Sequence, residues 1–438
     1  MEKKVDLLLK FINENPSCFH AIDHMSTTLL NQGYVELKEQ AKWTLQANKK
    51  YFVTRNGTSI IAFQIPSRFD NLNFQIVASH SDSPSYKIKP KAEINVKDNY
   101  CQLNVEAYGG MIASSWLDRP LSIAGRVIVK EDNRYVSKLC NIDEDYCMIP
   151  SLAIHMNHDV NNGYKYNPQV DMLPLVGMKD TINLKDKISN CLNLKAESIL
   201  DYDLYLYNRN SGRVWGSAKE FISSPKLDNL ECAFTSLQAF LETTNDLNIN
   251  MFVCFDNEEV GSSTKQGADG TFMRDVMKRI ASGLQMSDEA FHSALASSYM
   301  VSADNAHAMH PNHIEKNDPT NPVYINQGIV IKYSARQSYT SDAMSAAIFM
   351  DLCDLAKVPY QTFVNRSDMP GGSTLGNISS HQVSILTCDI GCAMLAMHSA
   401  YESAGYKDVS YLIDALKAFY SSNIRSVDNT TFELLKRD

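Results

Sequence analysis

The sequence predicts an α/β protein: a mixed, mostly parallel sheet sandwiched by helices, with a β-rich stretch in the middle of the chain. Two observations point there. After Ser223, apolar strand-like runs alternate with helical runs, the order that lays helices over both faces of a parallel sheet. From Tyr86 to about Asp203–Tyr207, apolar and polar residues alternate instead, the period of half-buried strands. At about 150 residues per domain, the 438 residues admit two or three domains.

Each element has its own signal. Residues 4–14 (KVDLLLKFINE) carry apolar residues at helical spacing, and Pro16 and Ser17 break the pattern. A second helix is expected from about Ser17 to Gln32, stopped by Gly33, a residue suited to the turn past a helix end. Three strand runs follow, YFVTR, TSIIAFQIP and NFQIVASH, with Asn56-Gly57 as a hairpin turn between the first two. YKIKPKAEINVKDNYCQLNVEAY alternates, and PLSIAGRVIVKEDNRYVSKLC reads as a hairpin turning near Glu131-Asp132-Asn133. Beyond Ser223, DNLECAFTSLQAFLETT is expected as a helix and INMFVCFDNEE as a buried strand. SDAMSAAIFMDLCDLAKV reads as an amphipathic helix, VSILTCDIG as a strand, and AMLAMHSAYESAG as the start of a further helix.

Composition narrows the function classes. Lys plus Arg total 41 against 50 Asp plus Glu, a formal charge of −9, which argues against bulk affinity for nucleic acid or anionic membrane. No apolar run approaches the roughly 20 residues that span a bilayer, and the N-terminal MEKKVDLLLKFINENPS lacks the features of a signal peptide. The ten cysteines, among them Cys388 and Cys392, are spread without a C-x-x-C pair and read as free buried thiols. A reducing, cytoplasmic location is expected.

Five segments carry chemistry. IVASHSDSP places His80 at a strand end, with Asp82 two residues on, where a carboxylate can hold the imidazole by its other nitrogen. By itself this is equally a loop histidine beside a solvated aspartate. SPKLDNLECAF holds Asp228 and Glu231, which alone read as a helix N-cap and its capping box. MFVCFDNEEVGSS runs a buried strand into Asp256, Glu258 and Glu259. Adjacent carboxylates there repel and lose hydration, a cost that a cation relieves. On an extended backbone the two glutamates face opposite sides, one for metal and one for substrate or water.

VSADNAHAMHPNH offers Asp304, His307, His310 and His313, but Pro311 argues against one helix through all three histidines, which leaves Asp304 as the better ligand. MLAMHSAYES carries His398 on an expected helix, where a lone histidine is ordinarily a core residue. Together, His80, Asp228, Glu258 or Glu259, Asp304 and His398 make a donor set of imidazole and carboxylate without thiolate. That set suits catalytic zinc, cobalt or manganese, and its size suits two ions sharing a carboxylate.

With these motifs in hand, the chain resembles the M18 aminopeptidases, the aspartyl aminopeptidase family of metallopeptidases. The resemblance rests on NPSCFHAI, ASHSDSP, MIPSLAIHMN, FDNEEVGS, SADNAHAMHPN, GGSTLG and LAMHS in family order. It implies the two-metal aminopeptidase fold and an exopeptidase that removes one residue from a peptide N-terminus. It implies Asp228 as bridging carboxylate, His80 and Asp304 at one metal, Glu259 and His398 at the other, Glu258 as general base and Asp82 as the group orienting His80. It implies a catalytic domain of residues 1–86 and 221–438 interrupted by a β-rich assembly domain, 87–220. Chain order supports that interruption, because His80 and Asp228 must meet although about 140 residues separate them. The resemblance further implies a tetrahedral homododecamer in which His155 enters a neighbour's active site to help bind the substrate carbonyl. Arg336, in IKYSARQSYTSDA, falls where the family varies near the substrate, and a guanidinium there would suit an acidic N-terminal residue. Competing readings are a neutral-preferring relative, a two-metal amidase or deacylase, and an assembly scaffold on a dead peptidase fold.

Overall fold

The fold is taken from a computed structural model that describes residues 1–69, 72–180 and 183–435. Its centre is a nine-stranded sheet. In the middle, Phe74–His80 pairs in parallel with Ile249–Phe255 on one side and Tyr299–Ala303 on the other. Leu386–Gly391 extends this parallel group beyond Tyr299–Ala303. Antiparallel pairs flank it: Ser59–Gln64 lies against Ile249–Phe255, and Ile329–Lys332 against Leu386–Gly391. The hairpin from Lys50–Arg55 to Ser59–Gln64 turns at Asn56 and Gly57, with φ of 60° and 72°, the left-handed pair that an Asn-Gly turn supplies.

Burial on both faces follows from the sequence of the central strands. Phe74–His80 and Ile249–Phe255 are buried at every position, as a strand between two helical layers requires. Their side chains alternate between two cores. Val77, Phe252 and Cys254 pack with helices Glu2–Glu14, Leu227–Leu241, Ala343–Ala356 and Asp408–Ser421. Ile76, Ala78, Met251 and Val253 pack on the other face with Phe272–Gly283 and Asp288–Ala296. Leu227–Leu241 is apolar almost all round because it is buried all round, wedged between the sheet and Asp408–Ser421.

The β-rich stretch forms a second, six-stranded antiparallel sheet whose strands run from Ser85 to Asn208. Tyr86, Leu103, Val105, Val127 and Leu204 face its own core, closed by Ile188 from helix Leu184–Leu192. Arg213–Trp215 and Phe221–Ser224 do not join that sheet. They pair instead in a five-stranded sheet with Glu402–Gly405, Ala393–Leu395 and Ala306–His307.

One expected helix is absent. AMLAMHSAYESAG forms strand Ala393–Leu395, a turn, and strand Glu402–Gly405. The apolar residues that mimic helical spacing are buried on the short sheet instead, and Ala396 and His398 take positive φ of 56° and 65° in the turn between. No helix among the described residues is long and apolar enough to cross a membrane. All ten cysteines are free, eight of them buried.

Candidate metal centre

The C-terminal ends of three adjacent parallel strands set the site, the usual crevice of an open α/β sheet. His80 ends the first strand, Phe255 leads the second into Glu258 and Glu259, and Ala303 leads the third into Asp304. Asp228 reaches the same point from the start of helix Leu227–Leu241, and His398 from the turn after Leu395. Three donor groups result, each with its ligand atoms within 4.8 Å of one another: His80, Asp228 and Asp304; His80, Glu258 and Glu259; Asp228, Glu259 and His398.

Asp228 divides its oxygens between the outer two groups. Oδ1 lies 3.7 Å from His80 Nε2, and Oδ2 lies 3.4 Å from His398 Nε2. Asp304 Oδ1 is 3.7 Å from His80 Nε2, and Glu259 Oε2 is 3.4 Å from His398 Nε2. Asp228 Oδ1 and Glu259 Oε1 are buried with no hydrogen-bond donor. Orphaned carboxylate oxygens in a dry site are costly, and bound cations would satisfy them. The residues therefore fit the metal-type donor set.

In both histidines Nδ1 is bound to a carbonyl acceptor, which leaves Nε2 facing the carboxylates. His80 Nδ1 meets the Asp82 carbonyl at 3.0 Å and Asp82 Oδ1 at 3.3 Å, so it must donate. His398 Nδ1 donates to the Gly110 carbonyl of the β-rich stretch. Asp82 also accepts the Glu258 and Glu259 N–H groups, each at 3.2 Å, and the Tyr108 hydroxyl at 2.8 Å. Glu402, which sequence reasoning missed, accepts the N–H of Asp228 at 3.0 Å and that of His398 at 2.7 Å.

Electrostatics follow from burial. Burial opposes charge on His80, but Asp304 and Asp82 hold its imidazole well above the ordinary histidine range. Burial pushes Glu258 up to about 8, with Asp304, Asp82 and Asp228 adding to the rise. Burial and Asp228 push Glu259 well above the carboxylate range. Asp304 goes the other way: burial opposes it, but Lys332 and His80 hold it down at about 2. Lys332 is buried at the end of strand Ile329–Lys332 and donates to the Asn305 carbonyl at 2.9 Å. A lysine closing an apolar strand was the sequence signal for it.

A family model for the M18 aminopeptidase I zinc metalloproteases matches residues 11–420. The chain belongs to the M18 aminopeptidase family. Its M18 relatives include a probable M18 family aminopeptidase 2 of Clostridium acetobutylicum, 46% identical over 94% of this chain and 98% of that protein. A cryo-EM structure of the Ape4 and Nbr1 complex matches with TM-score 0.90 and 35% identity, over 95% of this chain and 85% of that one. The S. cerevisiae mApe1 dodecamer matches with TM-score 0.84 and 24% identity, over 96% and 97% of the two chains, and shows the shared fold.

In this M18 chain some local expectations change. Asp228 and Glu231 do not form a capping box: Asp228 has φ −83° and ψ 107°, and Glu231 instead accepts a hydrogen bond from Asn305 at 3.3 Å. Tertiary neighbours outcompete the local cap. Glu258 and Glu259 sit in a short 3-10 turn, Glu258–Val260, rather than on extended backbone, so both reach the His80 group instead of opposite faces. His398 lies in a turn, not on a helix. His307 ends a short strand, and His310 and His313 are exposed, their rings 5.2 Å apart. Arg336 is exposed, in a cleft shared with Asp318, Arg366 and Asp368. His155 is exposed in the β-rich part of the chain.

Proposed function

We propose that this M18 metallo-aminopeptidase is dinuclear and removes single residues from free peptide N-termini. The observation that carries the reading is Asp228, whose two oxygens serve separate donor groups as a bridging carboxylate would. His80 and Asp304 would hold one ion, and Glu259 and His398 the other. Zinc fits best with the family, while cobalt or manganese share the ligand preference. When bound, such ions supply Lewis acidity that polarises a carbonyl and acidifies water.

The chain's own residues do the rest. Glu258, beside His80 and kept ionised by bound cations, takes a proton from the attacking water and passes it to the leaving amine. Asp82 keeps His80 in its tautomer and ties the Glu258–Glu259 turn to it. An acidic N-terminal side chain is the proposed preference. Two cations compete to read it: Lys332, buried beside Asp304, and Arg336, in the exposed cleft. Burial favours Lys332, since a desolvated ammonium discriminates charge more strongly than a solvated one.

Residues 87–220 are the proposed assembly domain of a homododecamer, the state in which the S. cerevisiae relative was solved. The segment around His155 leaves Leu152, Ile154 and Met156 exposed at 54%, 45% and 69%, an apolar surface suited to burial by another subunit. His155 would thereby enter a neighbouring active site and help bind the substrate carbonyl.

The test is chelation followed by zinc, cobalt or manganese readdition, assayed on Asp-, Glu-, Ala- and Leu-anilides and their N-acetylated forms. Restored cleavage of free amines alone, fastest for Asp and Glu, is expected. Release of acetate from the acetylated forms would establish a deacylase instead, and release of the aniline from them an amidase. In the same panel, Lys332→Met should lose Asp and Glu substrates selectively. Selective loss in Arg336→Ala alone would move that role outward.

A further inference from the structure

Three consecutive residues of the β-rich stretch touch the supports of both metal histidines. Strand Tyr100–Tyr108 ends at Tyr108, and Gly109 and Gly110 follow it into the site. The Tyr108 hydroxyl donates to Asp82 Oδ2 at 2.8 Å and accepts from Asn257 Nδ2 at 2.8 Å. Asp82 is the group that holds His80 Nδ1, and Asn257 begins the turn carrying Glu258 and Glu259. Gly109 lies so close to that turn that a Cβ on it would stand 3.1 Å from Glu259 Cβ. Its φ of +77° independently favours glycine. Gly110 supplies the carbonyl that accepts His398 Nδ1–H. One residue later, the Ile112 N–H donates back to the His398 carbonyl at 3.0 Å.

We infer that Tyr108–Gly110 is a positioning strap through which the inserted β-rich unit sets the ligand geometry of both proposed metal sites. Tyr108 is a positioning residue, since it acts through Asp82 and Asn257 and touches neither a ligand nitrogen nor the reacting atoms. Groups behind metal-bound histidines fix tautomer and ring direction, and losing one typically costs 10–100-fold in metal affinity or activity. The strap reaches the His80 side through a side chain and the His398 side through backbone. A shift of the inserted unit against the central sheet would therefore disturb both histidines together. The inference rests on the metal-centre reading above.

The experiment uses the full chain and two variants, Tyr108→Phe and Gly109→Ala. Zinc affinity is measured by competition with a chromogenic chelator, kcat and KM on the preferred anilide, and melting temperature on the chelated proteins. Tyr108→Phe should weaken zinc binding roughly 10-fold and lower kcat with KM little changed, while the chelated protein melts with the wild type. Gly109→Ala should weaken zinc binding at least as much, because the added methyl displaces Glu259. If wild type binds zinc and Tyr108→Phe matches it within twofold in affinity and kcat, the strap is overturned and the metal centre stands. A lower melting temperature with unchanged affinity would make the hydroxyl merely structural and also overturn it. A wild type that binds no cation would overturn the metal-centre reading and the strap with it.

Discussion

Replacing Glu258 by Gln should stabilise the chelated protein at alkaline pH. The reason is burial of its carboxyl, which, aided by Asp304, Asp82 and Asp228 and opposed by His80, raises it from 4.5 to about 8. A carboxyl with a raised folded pKa binds more protons in the native than in the unfolded state across that interval. Its contribution to stability is therefore full below about 4.5 and is lost as pH rises through about 8. At about 1.4 kcal/mol per tenfold, the interval corresponds to at most about 5 kcal/mol. An entropy of unfolding near 2.1 cal/mol/K per residue over 438 residues makes each kcal/mol worth about 1 °C. Glutamine keeps the shape without the charge, so chelated Glu258→Gln should melt up to about 5 °C above chelated wild type at pH 8.5. The gap should shrink to about 1–2 °C at pH 5.5 and close only below about pH 4.5. Glu231, pushed up to about 8 by burial, and Asp256, pushed up to about 7 by burial and Asp82, have the same sign. Chelated wild type should thus lose stability between pH 5.5 and 8.5. Added zinc should cancel the variant's advantage, because a cation favours the ionised carboxylate. Scanning calorimetry on chelated and reloaded protein checks this. A chelated wild type that gains stability with pH, or a variant that tracks it at both pH values, would refute the electrostatic account. The same variant should retain bound metal yet lose several orders of magnitude in turnover; near-normal turnover would remove Glu258 from its role as base.

Two further outcomes follow from the packing. Glu402→Leu leaves the Asp228 and His398 N–H groups without their acceptor, at about 1–3 kcal/mol each, and should lower both the urea midpoint and zinc affinity. Phe240→Ala empties a core position where the ring lies 5.4 Å from Tyr420 and 6.2 Å from Phe252, and should cost about 3–5 kcal/mol in equilibrium unfolding with little change in metal affinity.

The sequence alone determined the elements whose signal is local. Period-2 and helical runs, the Asn56-Gly57 turn and the acidic end of Ile249–Phe255 need only neighbours within a few residues to take their form. The candidate ligand types were legible only in part: adjacent acids at the end of a buried strand are costly without a cation, whereas His80, Asp228 and His398 taken singly read as ordinary loop, cap and core residues. Tertiary structure decided what depends on distant partners. Asp228 gives up its helix cap because Glu402, 174 residues away, holds its N–H. His398 leaves its expected helix because the flanking residues pair in a small sheet and Gly110 takes its Nδ1 proton. Tyr108 and Glu402 carry no motif of their own, and Lys332 shows only as a lysine closing an apolar strand; each acquires its place from burial against residues remote in the chain. Periodicity reports which face of an element is buried, whereas only the assembled fold says what that face meets.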